Sequence, residues 1–127
     1  MKQLLTLSIL AMLALGCKTQ KNAETGKLAD PSLAKLNVSF ISIGSGINHD
    51  ALKAYDKFIA DYEKNHGVDL QFEVIHWGRE GETDYCFKLA ELKEKKQADF
   101  IAETQKVLKG KEHVIVSENF RCRENRF

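Results

Sequence analysis

Between Leu36 and Ser117 the apolar residues change their spacing four times, and this alternation of periods narrows the possible folds more than any other feature. Leu36 to Ile43 is dense in β-branched and aromatic residues and reads as a strand, broken by Gly44-Ser45-Gly46. From about Asp50 to His66, Leu52, Tyr55, Phe58, Ile59 and Tyr62 recur at three- and four-residue intervals, which predicts a helix with one apolar stripe. Asn48 or Asp50 can cap its start, and Gly67 can take the left-handed conformation that ends it. Val68 to Trp77 then alternates, with Val68, Leu70, Phe72 and Val74 on one face and Asp69, Gln71 and Glu73 on the other. After a turn at Gly78 to Glu82, Thr83 to Leu89 alternates again. Phe100, Ile101, Thr104, Val107 and Leu108 mark a second helix from about Glu94 to Lys109, without a Ser, Thr or Asp cap at its start and ended by Gly110. Lys106 and Lys109 suit the negative end of its dipole. His113 to Ser117 is a last short strand, followed by an irregular tail to Phe127.

The order β-α-β-β-α-β predicts an α+β, ferredoxin-like domain: a four-stranded antiparallel sheet with both helices packed on one face. Single apolar stripes on both helices fit such a two-layer arrangement, with a rearranged α+β sandwich as the alternative. In the central hairpin, pairing Val74 with Phe87 and Phe72 with Leu89 keeps both apolar sets on one face, since a one-residue slip would turn them outward. That register sets Glu73 opposite Lys88, a favourable cross-strand pair, and leaves Arg79 to Glu82 as the loop. The opposite face then carries Ile75, Trp77 and Cys86. A fold of this class hosts many unrelated functions and selects none.

The chain begins Met1-Lys2-Gln3, and Leu4 to Leu15 is apolar apart from Thr6 and Ser8. About twelve apolar residues are too few to span a bilayer, which takes roughly 20, but they fit the core of an export signal. The segment ends Ala14-Leu15-Gly16-Cys17 and turns polar at once, with Lys18-Thr19-Gln20-Lys21-Asn22. This run resembles the lipobox of bacterial lipoproteins, with Ala14 and Leu15 exchanged relative to the usual order. The resemblance covers residues 1–17 alone. It implies a signal peptide over residues 1–16, cleavage before Cys17, and acylation of Cys17 through diacylglyceryl transfer to its thiol. Several acyl chains on one Cys give stable anchoring to the membrane. Lys18 stands where Asp would retain such a protein in the inner membrane, so the outer membrane is the expected location, with the cell membrane as the alternative. Residues 17–35 are polar, hold the one Pro of the chain and no aromatic residue, and read as a flexible tether to a single domain over residues 36–127.

Without the export segment roughly 110 residues remain, enough for one small domain. The whole chain has a formal charge of +1, which offers no basic excess for binding nucleic acid. Arg121, Arg123 and Arg126 cluster at the C-terminus, where they read as a solvated tail. Of three cysteines, Cys17 is taken by lipid, which leaves Cys86 and Cys122 as a pair in an oxidising compartment. They are expected to form a disulfide that pins the C-terminal tail across the open sheet face, with Phe120 and Phe127 covering Ile75 and Trp77. Neither lies in a C-x-x-C motif, which argues for a structural rather than a redox-active pair. The four histidines, His49, His66, His76 and His113, show no metal-ligand spacing, and no metal or cofactor is expected.

Two segments could carry recognition. Gly44, Ser45, Gly46 and Asn48, between strand and helix, could offer backbone amides to an anion, although the same glycines serve a tight turn. The run Trp77-Gly78-Arg79-Glu80-Gly81-Glu82 could form a recognition patch of exposed Trp77 with Arg79, Glu80 and Glu82. The same segment would equally serve as a polar hairpin loop whose Trp77 packs under the tail. The reading favoured by the sequence is a membrane-anchored, non-enzymatic binding or envelope-interaction module whose partner is an envelope protein or small ligand. A small envelope hydrolase or transferase using the Gly44–Asp50 loop is the alternative, and a purely structural part in an envelope complex is a third reading.

Overall fold

In the computed structural model, which describes residues 30–124, six elements follow in the expected order. They are β1 (Leu33–Phe40), α1 (His49–His66), β2 (Phe72–Trp77), β3 (Glu82–Phe87), α2 (Glu94–Leu108) and β4 (Val114–Arg121). The strands form one antiparallel sheet in the order β2-β3-β1-β4, the ferredoxin-like arrangement. The export segment, Cys17 and most of the tether lie outside the described residues, as do Arg126 and Phe127.

The strand ends differ from expectation in a coordinated way. β1 begins at Leu33, inside the segment read as tether, and β4 runs on to Arg121, inside the segment read as tail. The two extensions pair with each other, Leu33 opposite Arg121 and Ala34 opposite Phe120. Each supplies the ladder partners that the other lacks, so neither is visible from its own local pattern. The start of β1 is set by Asp30, whose carboxylate accepts from the Ser32 amide at 2.9 Å and whose carbonyl accepts from the Leu33 amide at 2.9 Å.

The central hairpin is shifted by two residues from the expected register. Phe72 faces Phe87, Val74 faces Tyr85 and Glu73 faces Cys86, so the expected Glu73–Lys88 pair does not form. A shift of two keeps every side chain on its own face, and alternation alone therefore cannot choose between the registers. The observed one packs Phe72 against Phe87, with tilted rings whose centroids are 4.9 Å apart. Val68 to Gln71 precedes the strand as a connection, with its amides held by side chains: Leu70 N–H donates to Glu63 and Gln71 N–H to Glu91, both at 2.9 Å.

α1 starts at Asn48, whose side chain accepts from the Ala51 amide at 2.9 Å, and ends at Gly67 in the left-handed conformation. α2 has no side-chain cap at Lys93, as expected. Its approach is instead tied by Gln97, whose amide donates to the carbonyls of Leu89 and Leu92. The core lies between the sheet and the helices. Leu36, Val38 and Phe40 of β1 meet Tyr55, Ile59 and Tyr62 of α1, Phe100 and Leu108 of α2, and Tyr85 and Phe87 of β3. Tyr55 is central to it, edge-on to Tyr85 and Phe87, with its hydroxyl 3.3 Å from that of buried Thr104.

Candidate functional site

The two segments singled out in the sequence meet. The carboxylate of Glu80, from the β2–β3 turn, lies in the loop between β1 and α1. It accepts a hydrogen bond from the Ser42 hydroxyl and a longer one, 3.4 Å, from the Gly46 amide. The same hydroxyl oxygen accepts from the amides of Gly44 and Gly46, at 3.1 and 3.0 Å. Ser42 thus relays the partial positive charge of two amides to one carboxylate. Gly44 and Gly46 turn these amides inward at φ 111° and 85°, a backbone region that side-chain-bearing residues rarely adopt. The Ser42 hydrogen bond, then the Gly46 amide, holds the Glu80 carboxyl below the ordinary glutamate range.

The anion loop therefore holds the protein's own carboxylate, and its membership changes. Ser42 takes the part expected of Ser45, which is exposed. Asn48 is occupied as the α1 cap and by donating to the Glu112 carbonyl at 3.2 Å. Glu82, expected on an exposed turn, is buried at the base of the hairpin and accepts from the Glu80 amide at 3.0 Å. It packs so closely on Gly78 that a side chain there would collide with it. Arg79 remains exposed.

On the sheet face away from the helices, the C-terminal segment crosses the strands. Cys122 stands at disulfide distance from Cys86 of β3, with α-carbons 6.2 Å apart. Ala34, Ile75 and Cys86 form a small apolar cluster there, with Cys122 packed against it. One residue further, Arg123 lies over the ring of Trp77, its guanidinium carbon 3.8 Å from the centroid. The same guanidinium donates to Asp84 at 3.1 Å. Asp84 is fully buried, and its other oxygen accepts from the Trp77 indole N–H at 2.9 Å. Trp77 is therefore half-buried and capped rather than an exposed anchor. The tail does cross this face, but Cys122 and Arg123 make the cover. Phe120 keeps 37% of its surface exposed, and Phe127 lies outside the described residues.

Beside this crossing runs an open groove of about 570 Å³. Phe72, Cys86 and Cys122 give it an apolar lining, and Lys88, Arg121 and Glu73 bring both signs of charge to it. Arg121 also reaches Asp30 at 3.4 Å. Among the described residues no group of three or more His, Cys, Asp or Glu is placed to hold a metal ion, and no helix is long and apolar enough to cross a membrane. Comparison with known protein families, curated proteins and solved structures gives no match to the chain.

Three participants escaped the sequence reading: Ser42, Asp84 and Arg123. Arg123 reads locally as part of a solvated tail. Asp84 had a local signal, a charged residue on the face already assigned to Ile75, Trp77 and Cys86. An acid on a buried face needs a cation, and the nearby C-terminal arginines were the available supply.

Proposed function

We propose that the chain is a lipid-anchored envelope lipoprotein, with Cys17 the acylated residue, and that its folded domain is a non-enzymatic binding module. The observation that carries the binding part is the groove beside the tail crossing. Its volume falls in the range of small-ligand sites, and it combines an apolar lining with unlike charges. Such a lining suits a small ligand or an envelope-protein segment that itself carries both charges. The anchoring part rests on the run Ala14-Leu15-Gly16-Cys17 after a short apolar core, and Lys18 favours the outer membrane. The hydrolase or transferase alternative at Gly44–Asp50 loses its main support, because Gly46 and Ser42 already hold Glu80 and Asn48 caps α1.

Metabolic labelling with a clickable fatty acid tests the anchor. Label on the wild-type protein that disappears in Cys17→Ser supports it, and label that persists in the variant contradicts it. For the groove, a photo-crosslinking residue at Lys88 is compared in intact cells with one at Lys57 on α1. A discrete adduct from position 88 that is missing from position 57 supports the reading, and the same pattern from both positions contradicts it.

A further inference from the structure

The two sulfur atoms of the cysteine pair have unlike surroundings. Cys86 is 4% exposed, on a central strand. Cys122 is only half-buried, and it lines the open groove together with Lys88, Arg121 and Arg123 and the acidic Glu73 and Glu124. Cationic neighbours stabilise a thiolate at Cys122, which would make it the better leaving group, but only Cys122 is open to an incoming thiol, so access directs attack there and expels Cys86. A polar contact reinforces the asymmetry. The side-chain oxygen of Asn37 lies 3.1 Å from Cys86 Sγ. Asn37 is itself 1% exposed, and its amide nitrogen donates to Ser39 at 2.9 Å. A disulfide sulfur has no hydrogen to give, so this buried acceptor gains a donor from Cys86 when that sulfur carries a proton.

We propose that the Cys86–Cys122 pair is a thiol–disulfide exchange site, in which Cys122 takes the incoming thiol and Cys86 is the leaving sulfur. The co-reactant is a small thiol, and the excess of Lys88, Arg121 and Arg123 over Glu73 and Glu124 along the groove favours one that carries net negative charge. Its thiolate attacks Cys122 Sγ from the groove and forms a new S–S bond. The Cys86–Cys122 bond breaks, and its electron pair leaves on Cys86. Cys86 takes a proton from water and donates the resulting S–H to Asn37. A second thiolate attacks the mixed disulfide, releases the oxidised small thiol and leaves Cys122 as a thiolate beside Arg121 and Arg123. The protein pair gains two electrons and two small thiols are oxidised to one disulfide. The tail is then held across the sheet by Arg123 alone, through Asp84 and Trp77. Separation by 36 residues rather than three sets this pair apart from a C-x-x-C centre.

The test uses the oxidised whole chain, treated with glutathione near neutral pH, quenched with acid and mapped by peptide mass. Exchange at the native site places glutathione on Cys122 in about tenfold or greater excess over Cys86, because access decides which sulfur is attacked. The rate is unchanged by urea below the unfolding transition. Replacing Arg121 by Gln slows the reaction with glutathione, whose attacking form carries a net charge of about −2, roughly threefold, and slows that with 2-mercaptoethanol, whose thiolate carries a single charge, clearly less, as expected for local electrostatic attraction. Adducts on Cys86, or divided evenly, would overturn the assignment. So would a rate that rises with urea in step with global unfolding, which is the behaviour of a purely structural disulfide. Equal slowing of both thiols by the Arg121 replacement would overturn the preference for an anionic thiol. The wild-type arm needs no variant to fold.

Discussion

Toward the helices β1 presents Leu36, Val38 and Phe40; toward the other side it presents Asn37 and Ser39, which are almost equally buried. The first set joins an aromatic and aliphatic core in which any one residue has many apolar neighbours. The second lies in a polar layer with Asp84 and Glu82, interrupted by the cluster of Ala34, Ile75 and Cys86. Apolar contact is non-directional and summed over area, so the helix side is held by many small terms. Buried polar groups must instead find particular partners. The other side accordingly depends on a few links between distant residues: Cys86 to Cys122, Asp84 to Arg123, and Trp77 to both Asp84 and Arg123. Equal burial on two faces thus reflects two kinds of stabilisation, and they should fail differently.

The largest effect is expected on the helix side. Phe100 is fully buried between Phe58, Tyr62 and Phe87. Phe100→Ala should destabilise the domain by about 3–5 kcal/mol in urea unfolding, the transfer loss plus a cavity. A loss below about 1 kcal/mol would mean that the core is not packed as described. The tail connection comes next. Replacing both Cys86 and Cys122 by Ser should cost roughly 3–4 kcal/mol for a loop of this length, while leaving the helix content by circular dichroism unchanged. If helix content falls with it, the two faces are not separable.

A smaller effect is expected at Asp84. Asp84→Asn keeps an acceptor for the Trp77 indole but removes the charge that holds Arg123. Half of the Arg123 side chain is exposed and screened, so the cost should be about 1–2 kcal/mol. The single Trp of the chain reports it directly: its fluorescence should change in the variant. Unaltered Trp77 emission would break the link between the tail and this ring.

The smallest effect concerns Glu80. Its carboxyl is held below the ordinary range, chiefly by Ser42, in the folded state. A depressed folded value contributes stability above the unfolded titration range, which is lost as pH falls through the folded value. Ser42→Ala should move the Glu80 carboxyl titration, followed by NMR, back up toward ordinary glutamate. No movement would mean that the loop does not hold this carboxylate.

The helix side was legible because it is written in periods: Tyr55, Ile59 and Tyr62 on α1, and Phe100, Thr104 and Leu108 on α2, all fell where the spacing placed them. The hairpin register was not, because a shift of two residues leaves the alternation intact and the choice falls to tertiary contacts such as Phe72 on Phe87. The ends of β1 and β4 were missed for a related reason, since each becomes a strand only beside the other. On the open face, the positions of Ile75, Trp77 and Cys86 followed from alternation. The cover did not, because Arg123 reads locally as one of several charged residues near a terminus. The Glu80 contact had no local signal either, joining residues 38 apart across two loops.

The fastening of the tail to β3 underlies every link on the open face, and a peptide map without reductant tests it directly. The oxidised protein is alkylated, digested with trypsin and analysed by mass. Cleavage after Arg79, Lys88, Arg121 and Arg123 should yield one linked species that joins Glu80–Lys88 to the dipeptide Cys122-Arg123, and reductant should split it into its two parts. Recovery of Cys86 and Cys122 each in alkylated, unlinked peptides would contradict the crossing of the open face.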